Sequence, residues 1–128
     1  MANTNIPLPG YPQPVGEKYQ EIYDHAGPAS YTQFSPGSTP TGGDIINALD
    51  LGFGGFDKVD GGYDSTGQFS VAVIPVGGGN GNAIKSYTLK WTAQVTATLG
   101  GQAQTAGSEA VAATNLSTFY TRLTAWLV

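Results

Sequence analysis

The 128-residue chain contains no cysteine and few charged side chains. Without cysteine, the fold can use neither a disulfide nor a cysteine metal site. Only 11% of the residues are charged, against about 25% in a typical soluble domain. Glycine, threonine, serine and asparagine occupy the polar positions instead. A surface of this composition is weakly repelled by its neighbours, which favours a protein that works in contact with other molecules.

Positive charge is the scarcer sign. Five cations stand against nine acids, giving a net charge of −4. The cations are Lys18, Lys58, Lys85, Lys90 and Arg122. Proteins that bind nucleic acid carry a basic patch that neutralises phosphates, and these five residues are scattered along the sequence. We therefore expect no nucleic-acid partner.

Long apolar segments are also missing. No stretch approaches the roughly 18 apolar residues that a membrane-spanning helix requires. The first ten residues, MANTNIPLPG, contain neither a basic region nor an apolar run, so we expect no signal peptide. The sequence thus predicts no membrane partner.

The second half of the chain shows strand patterns. Apolar and polar residues alternate over residues 84–99, which predicts one long half-buried strand with Trp91 in the core. The apolar run 68–76 predicts a central strand, in which Pro75 should lie near an end or at an edge. Asn80 and Gly81, between these segments, predict a tight turn. Residues 116–128 predict a third strand, apolar on both faces.

The first half gives weaker signals. Residues 18–25 and 29–34 are expected to be strands on either side of a Gly-Pro turn. Residues 44–51 fit a short helical turn or a strand, with Asp44 as the N-cap of a helix. Because no segment has a long helical period, the predicted fold is an all-β antiparallel sandwich with a jelly-roll or related topology.

Four of the eight prolines fall in NIPLPGYPQPVG, residues 5–16. Proline fixes φ near −65° and pushes the preceding residue to extended geometry, so this segment should be stiff and extended. Ile6, Leu8 and Tyr11 are apolar anchors within it. We divide the chain into an extended arm, 1–16, and one sandwich domain, 17–128. The arm would dock on a partner through those three residues; a frayed terminus is the simpler alternative.

Catalytic and metal chemistry find little support. His25 is the only histidine, and no nucleophile motif accompanies it, so we expect a structural or solvated side chain. Asp57, Asp60 and Asp64 lie on a glycine-rich loop and could offer oxygen ligands to calcium. Their spacing does not match an EF-hand, and Asp and Gly are ordinary turn residues. We expect no enzyme, no cofactor and no metal site.

The arm, the scarce charge, the Thr/Gly/Ser-rich strands and the segments 27–34 and 52–76 together resemble the cement or decoration proteins of tailed-bacteriophage heads. That resemblance implies a virion structural protein on the capsid surface, made in the host cytoplasm. It implies the major capsid protein as partner and a homo-oligomer, with a trimer favoured. It carries no particular functional residues over to this chain.

The alternative is a carbohydrate-binding or adhesion module, such as a tail or head-fibre component. Exposed aromatic rings stack on sugars, so the positions of Trp91 and Trp126 separate the two hypotheses. Buried tryptophans favour a structural protein, whereas two tryptophans on one exposed face favour sugar binding.

Overall fold

The computed structural model describes residues 5–37, 40–77 and 81–128. Over these ranges the chain is almost entirely β-structure, with one short 3₁₀ turn, Ala48–Leu51. No helix in the described ranges has the length and hydropathy needed to cross a bilayer. The strands are β1 Asn5–Pro7, β2 Gln13–Val15, β3 Lys18–Ala26, β4 Asp44–Asn47, β5 Phe56–Asp60, β6 Phe69–Val76, β7 Ser86–Ala93, β8 Ala97–Leu99, β9 Gln102–Gln104 and β10 Tyr120–Leu127.

Two antiparallel sheets enclose the core. In the larger sheet the order is β1-β3-β10-β5, and β2 also pairs with β3. The smaller sheet has the order β4-β7-β6, and β8 and β9 form a separate hairpin. Buried side chains from both sheets form one apolar cluster between them. The predicted all-β antiparallel sandwich is therefore confirmed.

Strand β10 lies at the centre of the larger sheet, between β3 and β5. Its side chains alternate: Leu123, Ala125 and Leu127 are buried in the core, whereas Arg122 and Trp126 face outward. Its outward face is only partly apolar, because Tyr120 and Trp126 alternate there with Arg122 and Thr124. The strand predicted over 116–128 is confirmed from Tyr120 to Leu127, whereas residues 116–119 form a turn before it.

Strand β7 confirms only the first part of the long strand predicted over 84–99. Trp91 is fully buried, as expected. The strand ends at Ala93, where its pairing with Phe69 of β6 also ends, and the chain bends before β8. Val95, predicted to face the core, is exposed. A strand continues only as far as it has a hydrogen-bonded partner strand. The alternating sequence pattern does not show where that partner strand ends.

Three other local predictions change. Strand β6 is an edge strand and β7 is the central one, although Pro75 does lie near the end of β6 as expected. Residues 29–34 form no strand; the buried Tyr31 holds this segment through its hydroxyl, which donates to Glu109 at 2.7 Å. Residues 44–51 contain both alternatives, a strand followed by the 3₁₀ turn. The predicted Asn80-Gly81 turn lies partly outside the described residues.

The free N-terminal arm is not confirmed. Residues 5–15 instead lie along β3 of the larger sheet, with Asn5 opposite His25 and Pro14 opposite Tyr19. Between β1 and β2, the backbone N–H of Leu8 donates to the carbonyl of Ile22 at 2.9 Å. Proline is tolerated on an edge strand, because its missing donor would point away from the sheet. The segment is therefore extended, as expected, at Asn5–Pro7 and Gln13–Val15, but a turn at residues 9–10 separates these strands and both belong to the sheet.

Candidate functional sites

His25 belongs to a buried polar cluster that connects the two sheets. Its Nε2 lies 2.7 Å from Oδ2 of Asp44, and its Nδ1 lies 2.7 Å from Oδ1 of Asn5. The indole N–H of Trp91 donates to the same Asp44 oxygen at 3.1 Å. His25, Asp44 and Trp91 are all at most 1% exposed. The cluster is thus a structural connection, and Asp44 is not the helix N-cap, a position that Asn47 occupies.

Glu21 is a second buried acid, 2% exposed on the inner face of β3. Burial raises its pKa, because an ionised carboxylate loses its water in the core. The folded protein then binds this proton more tightly than the unfolded chain does. Stability is greatest below the ordinary glutamate pKa and falls as the pH rises through the raised value.

We therefore expect Glu21→Gln, which cannot ionise, to be more stable than the wild type at neutral pH. The difference should shrink as the pH falls below the raised pKa of Glu21 and should reach its minimum below about 4.3, the ordinary glutamate pKa. Urea unfolding of both proteins at neutral and acidic pH measures this. A stability difference that does not change with pH would contradict the assignment.

The three aspartates predicted to share a glycine-rich loop have separate partners, and Asp57 and Asp60 lie in strand β5 rather than on a loop. Asp57 pairs with Lys18 at 2.8 Å, and Asp60 approaches Lys58 at 3.7 Å. Asp64 is buried and accepts from the backbone N–H groups of two residues that follow it, at 2.8 and 2.9 Å. Among the described residues, no group of three or more potential ligands could hold a metal ion. Asp64 therefore stabilises a turn through these hydrogen bonds, which is the role that the sequence favoured.

A cleft of about 520 Å³ opens on the outer face of the larger sheet. It is lined by Asp24, Tyr63, Ser65, Tyr120 and Arg122. Asp24 and Arg122 are directly opposite each other on β3 and β10. The guanidinium makes two hydrogen bonds to the carboxylate, at 2.8 and 3.1 Å, and these bonds lower the pKa of Asp24.

The aromatic side of this cleft is held by the Asp64 turn. The backbone N–H of Ser65 donates to the carbonyl of Tyr120 at 2.8 Å. The hydroxyl of Thr121 donates to the carbonyl of Tyr63 at 3.3 Å. These bonds fix the backbone of the loop to β10 while the ring of Tyr63 remains 64% exposed.

An apolar end lies at the opposite end of the sandwich, where segment 49–55 carries Leu49 and Phe53, the ring of Tyr19 packs on Phe53, and Val128 is bonded to Gly55. The rings of Tyr19 and Phe53 lie 5.3 Å apart, and the N–H of Val128 donates to the carbonyl of Gly55 at 3.0 Å. Leu49 is 80% exposed, the highest value among the exposed large apolar residues of the described chain.

The 3₁₀ turn presents Leu49 in a fixed position. The N–H of Gly52 donates to the carbonyl of Leu49 at 3.0 Å, and Gly52 closes the turn with φ of 85°, a conformation that favours glycine. A groove of about 470 Å³ lies beside Leu49 and is bordered by Asn47, Lys85 and Ser86. A rigid apolar projection next to a groove is a shape that another protein surface can match.

The predicted anchors of the arm differ in exposure. Ile6 is 48% exposed on β1, beside Asp24, whereas Leu8 and Tyr11 are half-buried. The two tryptophans are also separated: Trp91 is in the core, and Trp126 lies half-buried outside β10 with the Lys58 ammonium 4.4 Å from its ring centre. The paired exposed tryptophans that would have favoured sugar binding are not found.

Comparison with known proteins gives no indication of function, so the function has to be inferred from the geometry of the chain. The chain matches no protein-family model, no curated protein and no solved structure. Sequence reasoning did not identify the cleft or the apolar end. The cleft depends on the register of β10 against β3, which local patterns do not encode. The one sequence feature that could have indicated the apolar end was Leu49, an apolar residue in segment 44–51, which fitted either a helical turn or a strand.

Proposed function

We propose that this protein is a structural protein of a bacteriophage virion, which decorates the outside of the head and attaches through its apolar end. The observation that carries this proposal is the exposure of Leu49 at 80%, four residues before Phe53, whose ring packs on that of Tyr19. Large apolar side chains grouped on a surface are typical of protein interaction sites. The low charge and the composition resembling head decoration proteins point to a capsid shell as the partner.

The energetics favour many weak contacts over one strong contact. Fully covering a leucine, tyrosine or phenylalanine side chain contributes about 1.5–3 kcal/mol. Much of this is offset by the lost translational and rotational freedom of association. Several copies joined in an oligomer would engage a repeating lattice together and so gain affinity through effective concentration. A trimer bound at local threefold positions of the major capsid protein fits this arrangement.

The test is Leu49→Asp, with binding to purified phage heads that lack this protein measured by co-sedimentation. We expect affinity to fall about tenfold or more, because a charge would have to be desolvated at the interface. The melting temperature should stay near that of the wild type, since Leu49 is largely exposed in the free protein.

Two matched variants sharpen this test. Val95→Asp places a charge on an exposed apolar residue beyond the opposite end of β7 and should leave binding unchanged. Ile6→Asp tests the exposed anchor of the N-terminal segment. If Ile6→Asp abolishes binding while Leu49→Asp does not, the N-terminal segment is the docking surface and the apolar end is not.

A further inference from the structure

We propose that the cleft between Asp24, Arg122 and Tyr63 binds a neutral saccharide, one pyranose ring at a time. This site is separate from the apolar end and does not depend on the decoration function. Its volume, about 520 Å³, falls within the range of small-ligand sites. It combines exposed aromatic rings with a small number of fixed polar groups, which is the composition of such sites.

The ion pair at the cleft offers donors and acceptors side by side. Of the five N–H groups of a guanidinium, Arg122 uses its Nε and one Nη2 hydrogen to contact Asp24. The remaining N–H groups and the free lone pairs of the carboxylate stay available, because the two side chains are 61% and 30% exposed. Each sugar hydroxyl both donates and accepts, so two neighbouring hydroxyls can bridge this pair.

The Asp24–Arg122 ion pair also determines which ligand charge the cleft favours. Asp24 neutralises Arg122 within the cleft, and the other lining residues, Tyr63, Ser65 and Tyr120, are neither acids nor cations of the Asp/Glu or Lys/Arg type. An anionic ligand would have to compete with Asp24 for the guanidinium. A neutral ligand makes hydrogen bonds without separating the pair.

The aromatic residues provide the apolar contact. The exposed ring of Tyr63 and the half-buried ring of Tyr120 can cover the C–H face of a pyranose, while their hydroxyl groups reach water or the ligand. The loop that carries Tyr63 is already fixed to β10 by the bonds of Ser65 and Thr121. Little conformational entropy is therefore lost when a ligand binds.

The position of the cleft keeps it accessible in a docked protein. Arg122 lies near the start of β10, whereas Leu127, at its other end, pairs with Tyr19 of the apolar end. The five residue steps from Arg122 to Leu127 span about 17 Å. A protein attached through its apolar end would thus present the cleft away from that contact.

The experiment is a titration of the ¹⁵N-labelled full chain with the methyl glycosides of glucose, galactose and mannose, followed by NMR. At least one glycoside should shift the amide signals of residues 63–65 and 120–122, with a dissociation constant in the millimolar range. Tyr63→Ala should weaken this binding about tenfold or more, and Tyr63→Phe should retain most of it. Tyr19→Ala, an exposed tyrosine at the opposite end, is the control and should bind as the wild type does.

Three results would overturn the proposal. The first is that none of the three glycosides shifts these signals. The second is that the shifts persist unchanged in Tyr63→Ala, whose fold is verified by its spectrum. The third is that N-acetylneuraminic acid or inorganic phosphate binds the cleft more tightly than every neutral glycoside, which would make it an anion site.

Discussion

Replacing Trp91 with alanine is expected to lower the free energy of unfolding by about 3–5 kcal/mol, near the upper end of that range. The indole is fully buried and packs edge-to-face against Phe69, with ring centres 5.9 Å apart. Alanine leaves a large cavity and also removes the N–H that donates to Asp44. Urea unfolding followed by circular dichroism measures the change.

Trp126→Ala is the matched control, because the same side chain is removed from the outer face of the larger sheet. We expect a loss of about 1 kcal/mol, since Trp126 is only half-buried and its ring contacts Lys58. Equal losses for the two variants would show that Trp91 is not the packing centre of the sandwich.

Removing the carboxylate of Asp44 should have an effect of similar size. Asp44→Ala leaves Nε2 of His25 and the indole N–H of Trp91 without this acceptor in a site closed to water. Breaking a buried pair by deleting one partner costs about 3–5 kcal/mol. The loss should appear in urea unfolding as a lower midpoint with an unchanged slope.

The variant Asp44→Asn separates the contribution that the shape of the Asp44 side chain makes to stability from the contribution of its carboxylate. The amide keeps one oxygen acceptor and nearly the same volume, so its loss of stability should lie between those of the wild type and Asp44→Ala. If the free energy of unfolding of Asp44→Ala lies within about 1 kcal/mol of the wild-type value, the His25–Asp44–Trp91 cluster does not hold the two sheets together.

The alternation of apolar and polar residues predicted the strands that bury one face and expose the other. The alternation around Trp91 placed that residue in the core, and the pattern near Leu123 and Leu127 indicated a strand, because a half-buried strand must bury every second side chain. The fold class followed from these segments. The break after Ala93 was missed because it depends on where the partner strand ends.

Features that depend on long-range pairing were not predictable from one sequence. The edge position of residues 5–15 depends on pairing with β3, and a proline-rich segment fits an edge strand as well as it fits a free arm. The contact of His25 with Asp44 joins strands of different sheets. The cleft likewise requires Arg122 to lie opposite Asp24, 98 residues apart in the sequence.

The central claim is that this protein is a component of a phage head, attached through its apolar end. The most direct measurement is quantitative mass spectrometry of density-purified phage particles from cells that produce this chain, combined with rebinding of wild-type and Leu49→Asp protein to particles that lack it. We expect a fixed ratio of this chain to the major capsid protein, rebinding of the wild type, and rebinding of the variant weaker by about tenfold or more. Absence of the chain from purified particles, or equal rebinding of both proteins, would contradict it.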